Sequence, residues 1–284
     1  MRWQTCRRVA IMRGTSQNKS RGEKLRSPTY CPATVELALK TSSAAEQHRP
    51  QQNTLIAALS AAECERLAND LELVPLTLGQ VLYESGQTMS HAYFPIDCIV
   101  SLLYVMKNGE SAEIAIVGNE GMIGIALFMG GESTGSRAIV QNAGHAYRLK
   151  AQVLKDEFFR SGALSRLLLM FAQALISQMV QTAACNRHHP VDQQLCRWVL
   201  LSLDRLSSSR ISMTEKLIGN MLGLSSSDVT NATDVLQKAG LIHYHDGEIT
   251  VLDRGGIEKR SCECYDVVKK ESDRLLPLSV EIGQ

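Results

Sequence analysis

Twenty-four consecutive residues, Ala163 to Asn186, contain neither glycine nor proline, and Leu164, Leu168, Phe171, Leu175, Met179 and Thr182 recur along them every three or four positions. That period places them on one stripe of a long amphipathic helix. At 1.5 Å per residue such a helix runs about 36 Å, more than a small domain covers, so part of the stripe is expected to meet a second copy of the chain. Pro190 must stop the helix, because proline has no amide proton to donate and its ring clashes with the preceding turn. Asp192 is expected to cap a new helix carrying Leu195, Trp198, Val199, Leu203 and Leu206. The junction Pro190-Val191-Asp192 is a candidate hinge.

The rod divides two unlike segments. Before it, Leu55, Leu59, Cys64, Leu67 and Leu71 fall at helical spacing, with Ser60 and Glu63 forming a capping box. Val-, Ile- and Tyr-rich runs follow, broken by Gly79, Gly86, Gly109, Gly118 and Gly144, which is the punctuation of strands and turns. Ile99 to Met106 and Ser111 to Val117 should pair around a type I′ turn at Asn108-Gly109. A β-roll or small jelly roll closes such a unit.

After the rod, Ser212 to Asn231 has the pattern of two helices joined by a tight turn. Thr214 caps the first helix, Leu217, Ile218 and Met221 face inward, and Gly223 takes the turn. Ser225 caps the second helix, which buries Val229 and Leu236, while Gly219 lets the two helices cross closely. Gly240 to Leu252 then reads as two short strands around Asp246-Gly247, a wing.

Lys and Arg number 30 against 29 Asp and Glu, so the net charge of +1 neither demands nor excludes a polyanionic partner. Residues 1–52 are read as a disordered tail, with eight basic residues and one acid, Glu23, in its first thirty positions; Met12 is an alternative start. No apolar run is judged long enough to cross a bilayer, the longest being Leu167 to Ala172. The eight cysteines, Cys6, Cys31, Cys64, Cys98, Cys185, Cys196, Cys262 and Cys264, are scattered and expected to be reduced thiols. A cytoplasmic location follows from these readings.

The order of β-roll (53–160), long helix (161–189) and winged helix-turn-helix with a C-terminal helix (190–284) resembles the Crp/Fnr family of bacterial regulators over about Leu55 to Leu252. The resemblance implies an α+β chain that binds double-stranded DNA as a homodimer and works with RNA polymerase. A small-molecule effector in the roll would reorient the winged helices on a two-fold symmetric operator.

Family members that bind cyclic AMP carry a Gly-Glu-Leu element and an Arg-Ser-Ala or Arg-Thr-Ala element. Here Gly121-Met122-Ile123-Gly124 lacks the acid, and Ser136-Arg137-Ala138 shifts the arginine by one place, which on a strand turns it to the opposite face. A nucleotide pocket, if retained, would use Gly121, Arg137, Ala138, Gln181 and Thr182. The cysteines lack the close N-terminal spacing of Fnr-like iron–sulfur proteins. Cys262-Glu263-Cys264 has no matching second pair and reads as the start of a helix, so no metal is expected. His188-His189 and His243-x-His245 read as surface groups. No catalytic constellation is present, and the chain is not expected to be an enzyme.

The second helix of the pair, Ser225 to Gln237, has no Lys or Arg and two acids, Asp228 and Asp234. Base and phosphate contacts would fall to Thr214, Lys216, Ser225, Ser226, Ser227, Thr230 and Asn231. Further positive charge would come from Arg210, Lys238 and Arg254. The competing reading is a ligand-sensing or protein-interaction module that has lost sequence-specific DNA binding.

Overall fold

The computed structural model describes residues 48–160, 162–206 and 208–276. Most of the expected tail lies outside these, but residues 48–52 do not belong to a tail. The Tyr147 hydroxyl donates to His48 O at 2.8 Å, and Pro50–Gln52 form a 3₁₀ turn. The buried Asn53 then caps α1 (Thr54–Ala57) and donates to Pro95 O and Gly121 O at 3.0 and 2.8 Å, tying the entry segment to the roll.

Helix α2 (Ala61–Ala68) begins with the expected capping box: the Ser60 hydroxyl accepts from Glu63 N, and the Glu63 carboxylate accepts from Ser60 N. Two antiparallel sheets follow. One has the order β1 (Glu72–Leu76), β7 (Gly144–Lys150), β3 (His91–Pro95); the other has the order β2 (Val81–Tyr83), β6 (Ser136–Asn142), β4 (Ile99–Val105), β5 (Ser111–Val117). Phe94, Val100, Leu102, Ala138, Val140 and Leu149 lie in the core of this unit. The β4–β5 hairpin forms where expected, but its turn differs. Met106 N donates to Glu110 O, closing a loop of residues 107–109 in which Gly109 alone takes positive φ, at 87°. A three-residue loop needs the left-handed conformation only at its last position, so Asn108 is not forced into it.

Helix α3 (Ala151–Phe159) leads to the long helix α4 (Ala163–His188). The amide of Leu164, the second residue after the glycine cap, is satisfied by the Glu63 carboxylate at 3.2 Å. Burial works against the Glu63 charge, yet hydrogen bonds from Ser60 and from the helix start hold its carboxyl below the usual range. Leu164, Leu168, Phe171, Leu175 and Thr182 are buried within this chain, with Met179 half-buried. The expected stripe therefore faces the chain's own core. A second stripe, Leu169, Ile176 and Val180, is 43–64% exposed. The membrane reading needs correction as well. From Leu167 to Asn186 no residue is charged, and α4 is long and apolar enough to span a bilayer, with mean hydropathy 1.5 over its most apolar stretch.

Pro190 ends the helix as expected and is itself the N-cap of α5 (Val191–Leu203); Asp192 lies in the first turn and pairs with Arg260 at 3.0 Å. Next come β8 (Arg210–Ser212), α6 (Glu215–Leu222), α7 (Ser226–Lys238), β9 (Ile242–His245), β10 (Glu248–Val251), α8 (Arg254–Arg260) and α9 (Glu263–Leu275). Strands β8, β10 and β9 form a small antiparallel sheet, and Asp246 and Gly247 both take positive φ in the wing turn. The C-terminal unit lies against the roll: Ile99, Leu103 and Ile116 share one core with Trp198, Val199, Met221 and Leu222.

Candidate functional site

The helix-turn-helix is set by local chemistry. The Thr214 hydroxyl accepts from Leu217 N, and the Ser225 hydroxyl accepts from Asp228 N, so each helix starts on a side-chain cap. Gly223 takes φ 67°, closing α6 into the turn. A Cβ on Gly219 would lie 2.9 Å from Leu224 O, which explains the glycine at the crossing. Val229, Ala232, Thr233 and Leu236 are buried, whereas Lys216, Ser225, Ser226, Ser227 and Asn231 are exposed. Thr230 is half-buried and its hydroxyl donates to Ser226 O. Of the expected cations, Lys216, Lys238 and Arg210 are exposed. Arg254 is engaged by Asp204 at 2.5 Å and Glu258 at 2.9 Å, so it is not a free positive charge.

The five residues of the candidate nucleotide pocket are not brought together. Arg137 points away from the core and pairs with Glu84 at 2.7 Å, while its neighbour Ala138 is fully buried inside the roll. Gly121 packs so closely under the Phe171 ring that a Cβ would come within 2.1 Å of it. Gln181 and Thr182 lie near the other end of α4: Gln181 Nε2 donates to Cys264 Sγ at 3.0 Å, and Thr182 accepts from buried Arg197 at 3.1 Å. Within the roll a cavity of about 50 Å³ is lined by residues including Tyr83, Met89 and Tyr93. A small-molecule site typically needs about 300 Å³ or more.

A buried polar chain crosses from the roll to the C-terminal unit. Ser101 Oγ lies 2.8 Å from Glu113 Oε2 and 2.7 Å from Gln141 Oε1, and Gln141 Nε2 donates to Ser202 on α5 at 3.4 Å. A hydroxyl has one proton and cannot donate to two acceptors. Both contacts are satisfied when Glu113 is protonated and donates to Ser101. Burial drives this, raising the Glu113 carboxyl to about 8 against the opposing pull of the Ser101 hydroxyl, Arg197 and Arg205.

The second buried cluster was not anticipated. Cys185 near the end of α4, His189 as its C-cap, and Cys262 and Cys264 at the start of α9 bring four donor atoms within 4.8 Å of one another. Cys185 Sγ is 3.6 Å from Cys262 Sγ, and Cys264 Sγ is 3.4 Å from His189 Nδ1. The three sulfurs are buried and His189 is half-buried. The hydrogen bond between Cys185 and Cys262 holds the Cys262 thiol down, against the effect of burial, and pushes Cys185 up. By contrast, burial pushes Cys98 and Cys196, which are not among the four clustered donors, up to about 12. Sequence reading of Cys262-x-Cys264 alone missed its partners because they lie on another helix, 77 residues away in one case.

Comparison with known proteins agrees with this architecture. Residues 73–161 match the cyclic nucleotide-binding domain family, and residues 193–260 match the Crp-like helix-turn-helix domain family. No curated protein matches the sequence. Among solved structures, a transcriptional regulator of the Crp/Fnr family from Eubacterium rectale superimposes with a TM-score of 0.59 at 14% identity, covering 74% of this chain and 98% of its own. FixK2 from Bradyrhizobium japonicum gives 0.57 at 15% identity, covering 68% and 98%. The c-di-GMP-responsive regulator CLP from Xanthomonas campestris gives 0.52 at 15% identity, covering 68% and 100%. With the cyclic nucleotide-binding and Crp-like helix-turn-helix families both matched in the order found here, the chain belongs to the Crp/Fnr family of transcription regulators.

Proposed function

We propose that the chain is a homodimeric, cytoplasmic, non-enzymatic regulator that binds a two-fold symmetric DNA site through α7 and acts with RNA polymerase. The observation that carries this reading is the division of α7. Its apolar side is buried, while Ser226, Ser227 and Asn231 face outward near a capped N-terminus whose amides favour phosphate. Thr214, Ser225 and Thr230 hold that surface in shape, and Lys216 supplies an exposed positive charge beside it. Asn suits adenine edges, and serines suit either bases or phosphates.

The second copy would dock on α4. Leu169, Gln173, Ile176, Val180 and Ala183 are exposed at intervals of four and three residues, the spacing of a coiled-coil seam. The effector would be a small molecule other than a cyclic nucleotide bound in the family manner, because Arg137 faces outward to Glu84 and the Phe171 ring closes against Gly121.

A gel shift with purified full-length protein on a selected duplex tests the assignment. Asn231→Ala and Ser226→Ala should each weaken binding about fivefold to a hundredfold, equivalent to roughly 1–3 kcal/mol per base contact. Retained affinity in both variants would move the contact surface elsewhere and favour an interaction module.

A further inference from the structure

We propose that Cys185, His189, Cys262 and Cys264 bind one zinc ion, which fastens the end of the long helix to the first turn of the last helix. Tetrahedral zinc with Zn–S near 2.3 Å and Zn–N near 2.0–2.1 Å has ligand–ligand edges of about 3.8 Å between sulfurs and about 3.6 Å between sulfur and nitrogen. Two of the pairs stand at 3.6 and 3.4 Å, and all four atoms lie within 4.8 Å of one another. Shifts of a few tenths of an ångström to about one ångström complete the tetrahedron.

The surroundings match those of a ligand set. The His189 ring turns Nδ1 toward Cys264 and holds Nε2 3.3 Å from the Glu263 carboxylate. A carboxylate on the distal nitrogen is the arrangement that fixes the tautomer of a metal-bound histidine. Gln181 donates to Cys264 Sγ, as an outer partner of a thiolate does. Three thiolates and Zn²⁺ carry one net negative charge. Buried Arg197, whose Nε has no partner among the described residues and whose Nη1 donates to Thr182 about one turn before Cys185, brings a positive charge to that end of the site.

Soft thiolates together with an imidazole in a small tetrahedral space select zinc over the hard cations. An iron–sulfur cluster spreads its protein ligands over two or more irons, farther apart than this compact set allows. A Cys185–Cys262 disulfide would leave Cys264, His189 and Glu263 without a role. The ion would span the Pro190 hinge from both sides, restricting rotation of the C-terminal unit relative to α4. The site stands independently of how the protein contacts DNA.

The test is metal analysis of the untagged full-length protein, purified without chelators and under reducing conditions. One zinc per chain is expected. It should be lost in Cys262→Ser and Cys264→Ser and kept in Cys196→Ser, whose sulfur lies outside the set. Because a ligand variant can misfold, folded wild-type protein is also stripped with a chelator and titrated with cobalt. Uptake of one equivalent, with tetrahedral thiolate–cobalt absorption bands, supports the site. Three outcomes would overturn it: no stoichiometric zinc and no cobalt bands from folded protein, iron with equimolar sulfide, or a Cys185–Cys262 disulfide in protein prepared without oxygen.

Discussion

Glu113 shows how a single residue couples the two halves of the molecule. It is buried, with its carboxyl raised from the usual 4.5 to about 8. The folded chain therefore keeps a proton that the unfolded chain releases. The stability this contributes is complete below about pH 4.5 and declines as pH rises toward 8, by up to about 1.4 kcal/mol per unit. Glu113→Gln, which needs no proton, should remove that decline, and urea denaturation of both proteins at about pH 6 and about pH 8 measures it. Parallel losses in both proteins would show that Glu113 is charged in the fold. At Gly121, an added methyl would meet the Phe171 ring, so Gly121→Ala should destabilise by roughly 1–3 kcal/mol. Calorimetry should show a lowered Tm, partly restored by adding Phe171→Leu; no recovery would place the strain elsewhere. Neither contact was legible in the sequence. Glu113 sits in a strand pattern that gives no sign of its neighbours, and Gly121 reads as part of a degenerate nucleotide-binding element, with nothing local to show that it packs under Phe171.

At the scale of elements, what the sequence revealed was local. The caps at Ser60, Thr214 and Ser225 and the left-handed Gly223 depend on residues within four positions of one another, and all form as expected. Ser225→Ala should cost about 1 kcal/mol of helix stability, seen as an earlier chemical unfolding transition. Helix α4 shows the limit. Its period predicted a helix and a buried stripe, but a helix can carry two apolar stripes, and nothing local says which one meets its own chain. Ile176→Glu and Val180→Glu, on the exposed stripe, should convert a dimer to monomers in sedimentation measurements; an unchanged oligomer would remove α4 from the proposed interface. The thiol–imidazole cluster was hidden for the same reason, since only the packing of α9 along α4 brings its halves together.

At the scale of the whole molecule, the roll and the winged helix-turn-helix share a core through Ile99, Leu103 and Ile116 and a polar chain through Gln141 and Ser202. Arg205 adds an ion pair to Glu120 at 2.7 Å. A signal that repositions the C-terminal units must break these contacts in exchange for others, as expected for a bistable interface. Two winged units on one face of DNA would read half-sites about 34 Å apart. With few exposed cations near α7, their affinity should fall less steeply with salt than that of a regulator making roughly six to ten phosphate contacts. The central claim, that this fold reads DNA, is tested most directly by selecting bound sequences from a random duplex pool at low salt with folded full-length protein. Enrichment of an inverted repeat with half-sites one helical turn apart is the predicted result; no enrichment, with dimer and fold verified in the same sample, would contradict it.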